Sequence, residues 1–200
     1  MEPSTRELAI TDLETSLPER DAPGPAVILI GPPGSGKSTV GPLLAALLGV
    51  EFAETDGLIE QRAGKPVGDV FIDDGEDAFR ELERSAAGEA IAGHRGVLAL
   101  GSGSVLSPAT RALLASQRVV YLEAGFAAVA KRSGLDGPHP PIPGNPRGRL
   151  RQFLEERRPL YADLAWLTVS TDDRDPQQVA DEIAAAVTGG HATVGGEPRS

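Results

Sequence analysis

"AVILIGPPGSGKST", residues 26–39, joins two signals that seldom coincide by chance. Its first five residues are wholly apolar, as a strand buried on both faces must be. The next eight fit G-x-x-x-x-G-K-[ST] and stand where that motif works, after a buried strand and opening a helix. Gly31, Gly34 and Gly36 let the backbone bend so that successive N–H groups face a phosphate, and the helix N-terminus adds a favourable dipole. Lys37, one of only three lysines in the chain, places a point charge on the β- and γ-phosphates, and Ser38 offers a hydroxyl to Mg²⁺. The stretch therefore reads as a nucleoside triphosphate site, with Gly34, Ser35, Gly36, Lys37, Ser38 and Thr39 as its cradle.

Outward from this loop, the pattern alternates. Lys37–Leu48 reads as a helix with Val40, Leu43, Leu44, Leu47 and Leu48 to one side. After the strand at 26–30, further strands are expected at 51–55, 96–100, 118–122 and 167–170. Helical patterns at 57–63, 67–73, 76–92, 108–116, 126–133, 148–162 and 176–187 separate them. Strands alternating with helices argue for an α/β fold, a parallel sheet covered on both faces.

The 200 residues suit one domain with tails. Residues 1–24 are polar and acidic and read as a flexible tail; 25–188 read as the folded domain; 189–200, Gly-rich, read as disordered. The chain has no cysteine, which fits a reducing compartment, and nothing at its start reads as a signal peptide, so a cytoplasmic protein is expected. No apolar run approaches the ~20 residues of a membrane span. A net charge of −10 argues against a broad nucleic-acid or membrane surface. Yet residues 131–158 carry seven bases (Lys131, Arg132, Arg147, Arg149, Arg151, Arg157 and Arg158) against three acids. They surround "DGPHPPIPGNPR" (136–147), which by itself looks like a linker.

A phosphate-binding loop does not choose among kinase, GTPase and ATPase. "AETDGLIEQRAG", "VFIDDGEDAFRELE", "VLALGSGSVLS" and "EERRPLYADLAWLTVSTDDRDPQQVADEI" narrow the choice, because in order, spacing and residue type they resemble shikimate kinases over about residues 25–188. The resemblance implies a P-loop fold of the nucleoside-monophosphate-kinase-like type, with a five-stranded parallel sheet flanked by helices and a lid at about 134–147. It implies ATP-dependent phosphorylation of the 3-hydroxyl of shikimate, with ATP and Mg²⁺ as cofactors and a small-molecule acceptor. A monomer is expected. Asp56 would meet the acceptor hydroxyls and act with Lys37 in catalysis. Arg80 and Arg157 would hold the acceptor carboxylate, and the segment Gly101-Ser102-Gly103 would line its site. Arg132 and Pro176, with Arg174 nearby, would clamp the adenine, and Glu54 would join Ser38 at Mg²⁺.

Two arginines converging on one pocket are what a small carboxylate calls for, since each forms a bidentate, charge-assisted pair. Simpler roles are open at each position. Arg80 could pair with Glu76 or Glu83 on its helix, Arg157 has Glu155 and Glu156 beside it, and Asp56 could cap the helix that follows. Three departures from the family pattern lie near the chemistry. The lid arginine aligns to His139, in a segment stiffened by five prolines; the middle of the triple glycine is Ser102; and the first acid of D-x-D is Glu54. They leave open a relative acting on another hydroxy acid, such as a cyclitol acid or gluconate, or a nucleotide-binding regulator without turnover.

Overall fold

The computed structural model describes residues 24–133 and 145–189. Most of the expected N-terminal tail, nearly all of the expected lid with His139, and the expected C-terminal tail lie outside the described residues. Among the described residues, five strands form one sheet in the order β2-β3-β1-β4-β5: β1 Val27–Ile30, β2 Phe52–Glu54, β3 Val97–Ala99, β4 Val119–Glu123 and β5 Leu167–Ser170. Every pairing is parallel. Each expected strand is present, with no end displaced by more than one residue, in the α/β architecture the alternation implied.

The central strand shows why the sheet is covered on both sides. Successive side chains of a strand point to opposite faces. Val27 and Leu29 pack with Val40 and Leu44 of α1 (Lys37–Leu48) and Val179 and Ile183 of α7 (Pro176–Val187). Ile28 and Ile30 pack with Ala87, Ala90 and Ile91 of α3 (Val67–Gly93) and Tyr161 of α6 (Pro146–Leu164). No residue of β1 is more than 1% exposed, and nothing polar could be tolerated there.

The remaining helices are α2 (Thr55–Ala63), α4 (Pro108–Leu114) and α5 (Phe126–Arg132). Three local features depart from the expected outline. Helix α3 runs through both stretches expected to be separate, but Gly75 breaks its geometry at φ 85° and ψ 171°, so two helical pieces abut at a residue only glycine suits. Helix α2 begins at Thr55, not 57, which puts Asp56 in the first turn of the helix and not at its cap. Its carboxylate still lies at the positive end of the helix dipole. A short 3-10 turn, Ser104–Leu106, was not foreseen.

Close packing between α1 and β2 sets a sharp requirement at Gly41, a buried residue of α1. A Cβ there would stand well inside contact distance of the Phe52 ring. Gly41→Ala should therefore destabilise the fold by about 1–3 kcal/mol despite the better helix propensity of alanine. Urea unfolding at equilibrium measures this; an unchanged or higher midpoint would contradict it.

Candidate active site

The chain turns sharply after β1. Gly31 (φ 150°), Gly34 (φ 72°) and Gly36 (φ 98°) take backbone conformations that side chains resist, and Gly36 then caps α1. At Gly31 a Cβ would also meet the Leu122 carbonyl of β4 at 2.6 Å. These glycines shape the cradle, and Lys37 closes it: Nζ donates to the carbonyls of Gly31 (2.8 Å) and Pro32 (3.1 Å). Burial pushes the Lys37 ammonium down to about 8, although Asp56 and Glu54 pull it back up. An ammonium held so dry gains more than an exposed one when an anion enters.

The loop opens into a cleft of ≈ 620 Å³ whose walls include Lys37, Asp56, Ser102, Arg132, Arg174 and Pro176. Gly34 to Thr39, Glu54 and Gly101 also line it, so the residues expected at the nucleotide and at the acceptor hydroxyl face one space. Ser38 Oγ donates to Glu54 Oε1 at 2.7 Å. A hydroxyl and a carboxylate so placed suit a hard cation that keeps waters and phosphate oxygens as its other ligands. Among the described residues there is no cluster of three or more His, Cys, Asp or Glu to hold a metal alone. At the far end, Arg132 ties the loop to the end of β5: Nη1 donates to Gly34 O and Thr171 Oγ1, both at 3.0 Å, and Nη2 to Thr171 O at 2.6 Å. Arg174 pairs with Glu182 at 2.7 Å.

Asp56 is brought to the cleft by a bond its neighbour makes. Thr55, fully buried, accepts a hydrogen bond from Gly101 N–H at 2.9 Å, locking the start of α2 to the segment after β3. Burial raises the Asp56 carboxyl above the usual carboxylate range, opposed by Lys37 and helped by Glu54. It is thereby a better proton acceptor than a surface carboxylate.

Arg80, Gly103 and Arg157 do not line that cleft. Arg80 and Gly103 border a second hollow of ≈ 400 Å³, while Ser102 borders the first, so the 101–103 segment divides the two. Arg80 makes both pairs its sequence neighbours allowed: Nη1 with Glu83 (2.7 Å) and Nη2 with Glu76 (3.4 Å). Glu83 is not a surface partner, however, because its side chain is only 5% exposed. Burial raises its carboxyl, against the opposing pull of the Arg80 guanidinium and the Gly103 N–H. Of the two glutamates beside Arg157, Glu156 accepts from Gln152 at 2.7 Å. The Arg157 guanidinium lies 3.7 Å from the centre of the Phe153 ring, and Nη1 donates to Ser102 O at 3.5 Å. Burial lowers its pKa and repulsion from the Arg80 guanidinium lowers it further, while Tyr161 and Glu83 oppose the shift. A carboxylate shared between them would relieve that repulsion. Sequence reasoning missed Thr55 and Tyr161 as parts of this site and took Glu83 only as a surface partner.

The shikimate kinase family model matches residues 33–188. A shikimate kinase of Thermobifida fusca is 56% identical over 160 residues, covering 80% of this chain and 93% of that protein. A solved shikimate kinase from Acinetobacter baumannii, in complex with shikimate, superposes with a TM-score of 0.75 at 31% identity, covering 85% of this chain and 96% of the other. A gluconokinase from Sinorhizobium meliloti shares the fold, with a TM-score of 0.54 at 23% identity over 83% of this chain and 92% of that one.

The 101–103 segment has room for a side chain at one position only. A Cβ on Gly101 would meet Asp56 Oδ1 at 2.8 Å, and one on Gly103 would collide with Arg80 Nη1 and approach Glu83 within 2.7 Å. Ser102 has no positive φ, so its Cβ is unstrained. Gly103→Ala should displace the Arg80–Glu83 pair and cost about 1–3 kcal/mol of stability, with weaker binding of an acidic acceptor. Ser102→Gly should stay within about 1 kcal/mol of the natural protein. Thermal unfolding of the two variants side by side checks the ordering, and equal losses would refute it.

Proposed function

The chain belongs to the shikimate kinase family, and on that footing we propose how its residues divide the work of moving the γ-phosphoryl group of ATP to the 3-hydroxyl of shikimate. The observation that carries this reading is a single cleft joining the phosphate-binding loop to Asp56 and Ser102, with Arg80 and Arg157 converging on the same segment. The amides of residues 34–39 cradle the phosphates, and Lys37 exchanges the Gly31 and Pro32 carbonyls for phosphate oxygens. Ser38 and Glu54 would hold Mg²⁺, which when bound neutralises charge on the β- and γ-phosphate oxygens. Asp56 orients the attacking hydroxyl and accepts its proton as the new bond forms. Arg80 and Arg157 fix the carboxylate, which sets the ring so that one hydroxyl faces the nucleotide. Arg132, Arg174 and Pro176, at the far end of the cleft, meet the base.

A monomer is the working unit in this proposal. Its use of ATP and its lack of cysteine suit the cytoplasm. Among the described residues no helix is long and apolar enough to cross a membrane, and the negative net charge disfavours nucleic acid as partner or acceptor.

The direct test is ADP release from Mg-ATP by the purified protein, with and without shikimate, beside a panel of other hydroxy acids including gluconate. Strong dependence on shikimate alone is expected. Release that is independent of shikimate, or greater with another acid, would overturn the assignment.

The lowered pKa of Lys37 makes a second, independent prediction. Its folded value lies below the ordinary 10.5, so the cost of burying the charged form is fully present below about pH 8 and fades as pH rises above it. Bound phosphate favours the charged form and raises the value again. Nucleotide binding should thus take up a proton above pH 8. Affinity should be level up to that pH and then fall about tenfold per unit until the value in the complex is reached. Calorimetric titration with a non-hydrolysable ATP analogue at pH 7, 8 and 9, in two buffers of different ionisation heat, measures both effects. Equal affinity at all three values would be incompatible with it.

A further inference from the structure

The segment that borders the acceptor site is held from behind by a residue that touches no reacting atom. Tyr161 lies on α6 one turn after Arg157, is 1% exposed, and stacks on Tyr121 with 5.2 Å between ring centroids and 22° between planes. Its hydroxyl donates to the Ser102 carbonyl at 2.7 Å. Arg157 Nη1, from the same helix, reaches that carbonyl at 3.5 Å. A guanidinium cannot accept a hydrogen bond, so the phenol has one productive direction in which to donate. Burial also pushes its pKa well up, only partly offset by Arg157, and the hydroxyl keeps its proton at any working pH.

We propose that Tyr161 is a positioning residue for the acceptor: it fixes the Ser102 carbonyl, orients the peptide that joins Ser102 to Gly103, and keeps Arg157 in register with it. The proposal rests on the assignment of the 101–103 segment and Arg157 to acceptor binding. Ser102 borders the nucleotide cleft and Gly103 borders the hollow beside Arg80, so rotation of the peptide between them alters both spaces together. The peptides on either side are already held. Gly101 N–H donates to Thr55 Oγ1 at 2.9 Å, and the carbonyls of Gly101 and Gly103 accept from Ser104 N–H (3.1 Å) and Leu106 N–H (2.9 Å). Between these fixed points the Ser102 carbonyl has the Tyr161 hydroxyl as its short, well-formed partner. The hydroxyl does nothing for core packing that a phenylalanine ring would not do, whereas a carbonyl stripped of its buried donor is free to turn.

Tyr161→Phe keeps the ring and its stack on Tyr121 and removes only the hydroxyl. The expected result is a fall of about tenfold or more in kcat/KM for shikimate, carried mainly by a higher shikimate KM. The Kd for ATP measured without acceptor should stay within about twofold. Amide hydrogen exchange should quicken at residues 101–104 and remain unchanged in the phosphate-binding loop. A lower thermal midpoint with no change in the shikimate constants would overturn the proposal by leaving Tyr161 a purely structural role. Shikimate and ATP constants worsening in equal proportion would overturn it too, since that signals general loosening. The unaltered protein is assayed first: if its ADP release does not depend on shikimate, the underlying function fails, which is a different result from an active parent with an unaffected variant.

Discussion

Parallel pairing of β1 with both β3 and β4 lines up the carboxyl ends of the strands along one edge of the sheet, and the walls of the main cleft hang from that edge. The phosphate-binding loop follows β1, Asp56 follows β2, the 101–103 segment follows β3, Arg132 comes with the helix after β4, and Arg174 and Pro176 follow β5. Ligands of open α/β sheets gather at this edge for the same reason. The constraint is costly, since a parallel strand buried on both faces admits no polar side chain, and β1 complies with Val27, Ile28, Leu29 and Ile30. Burial at the mouth of this edge also depresses the Lys37 pKa.

Charge in the site is organised by partners and not by net sum. A protein of net charge −10 must present positive groups to ATP and to a carboxylate, and it does so with groups that are individually compensated. Lys37 rests on two carbonyls, Arg132 on the backbone of Gly34 and Thr171, and Arg80 on the buried Glu83. Arg157 has looser partners: its guanidinium lies over the Phe153 ring with a long bond to Ser102 O, and Tyr161 and Glu83 favour its charge while Arg80 opposes it. A guanidinium without a close carboxylate partner among the described residues is suited to recognising an incoming one more than to holding the fold.

The phosphate-binding loop, the five strands and the order of the helices were legible in the sequence because each rests on local periodicity or on glycines at fixed spacing. Residues 176–187 and 37–48 form helices with the expected bounds. Contacts between distant segments left weaker traces. Nothing local marks Thr55 as the residue that receives Gly101 N–H, forty-six positions away, or Tyr161 as the donor to Ser102 O. Glu83 was visible only as a helix-spaced partner for Arg80, and its burial depends on the loop after β3 folding over it. Asp56 was read as a possible cap because the helix was expected to start two residues later. The bond from Gly101 to Thr55 accompanies its earlier start.

The same geometry explains why two departures from the family pattern can be accommodated. A side chain at position 101 or 103 would run into Asp56 or Arg80, but position 102 has neither a collision nor a positive φ, and its carbonyl points to Tyr161. Serine therefore occurs at the one residue of the three where it leaves the backbone unchanged. Glutamate at position 54 is one methylene longer than aspartate, and its Oε1 reaches the Ser38 hydroxyl at 2.7 Å, so the added length is taken up along the line between the two groups that would share a cation. At both positions the fold accommodates the side chain: Ser102 takes no positive φ, and Glu54 keeps a carboxylate within reach of Ser38.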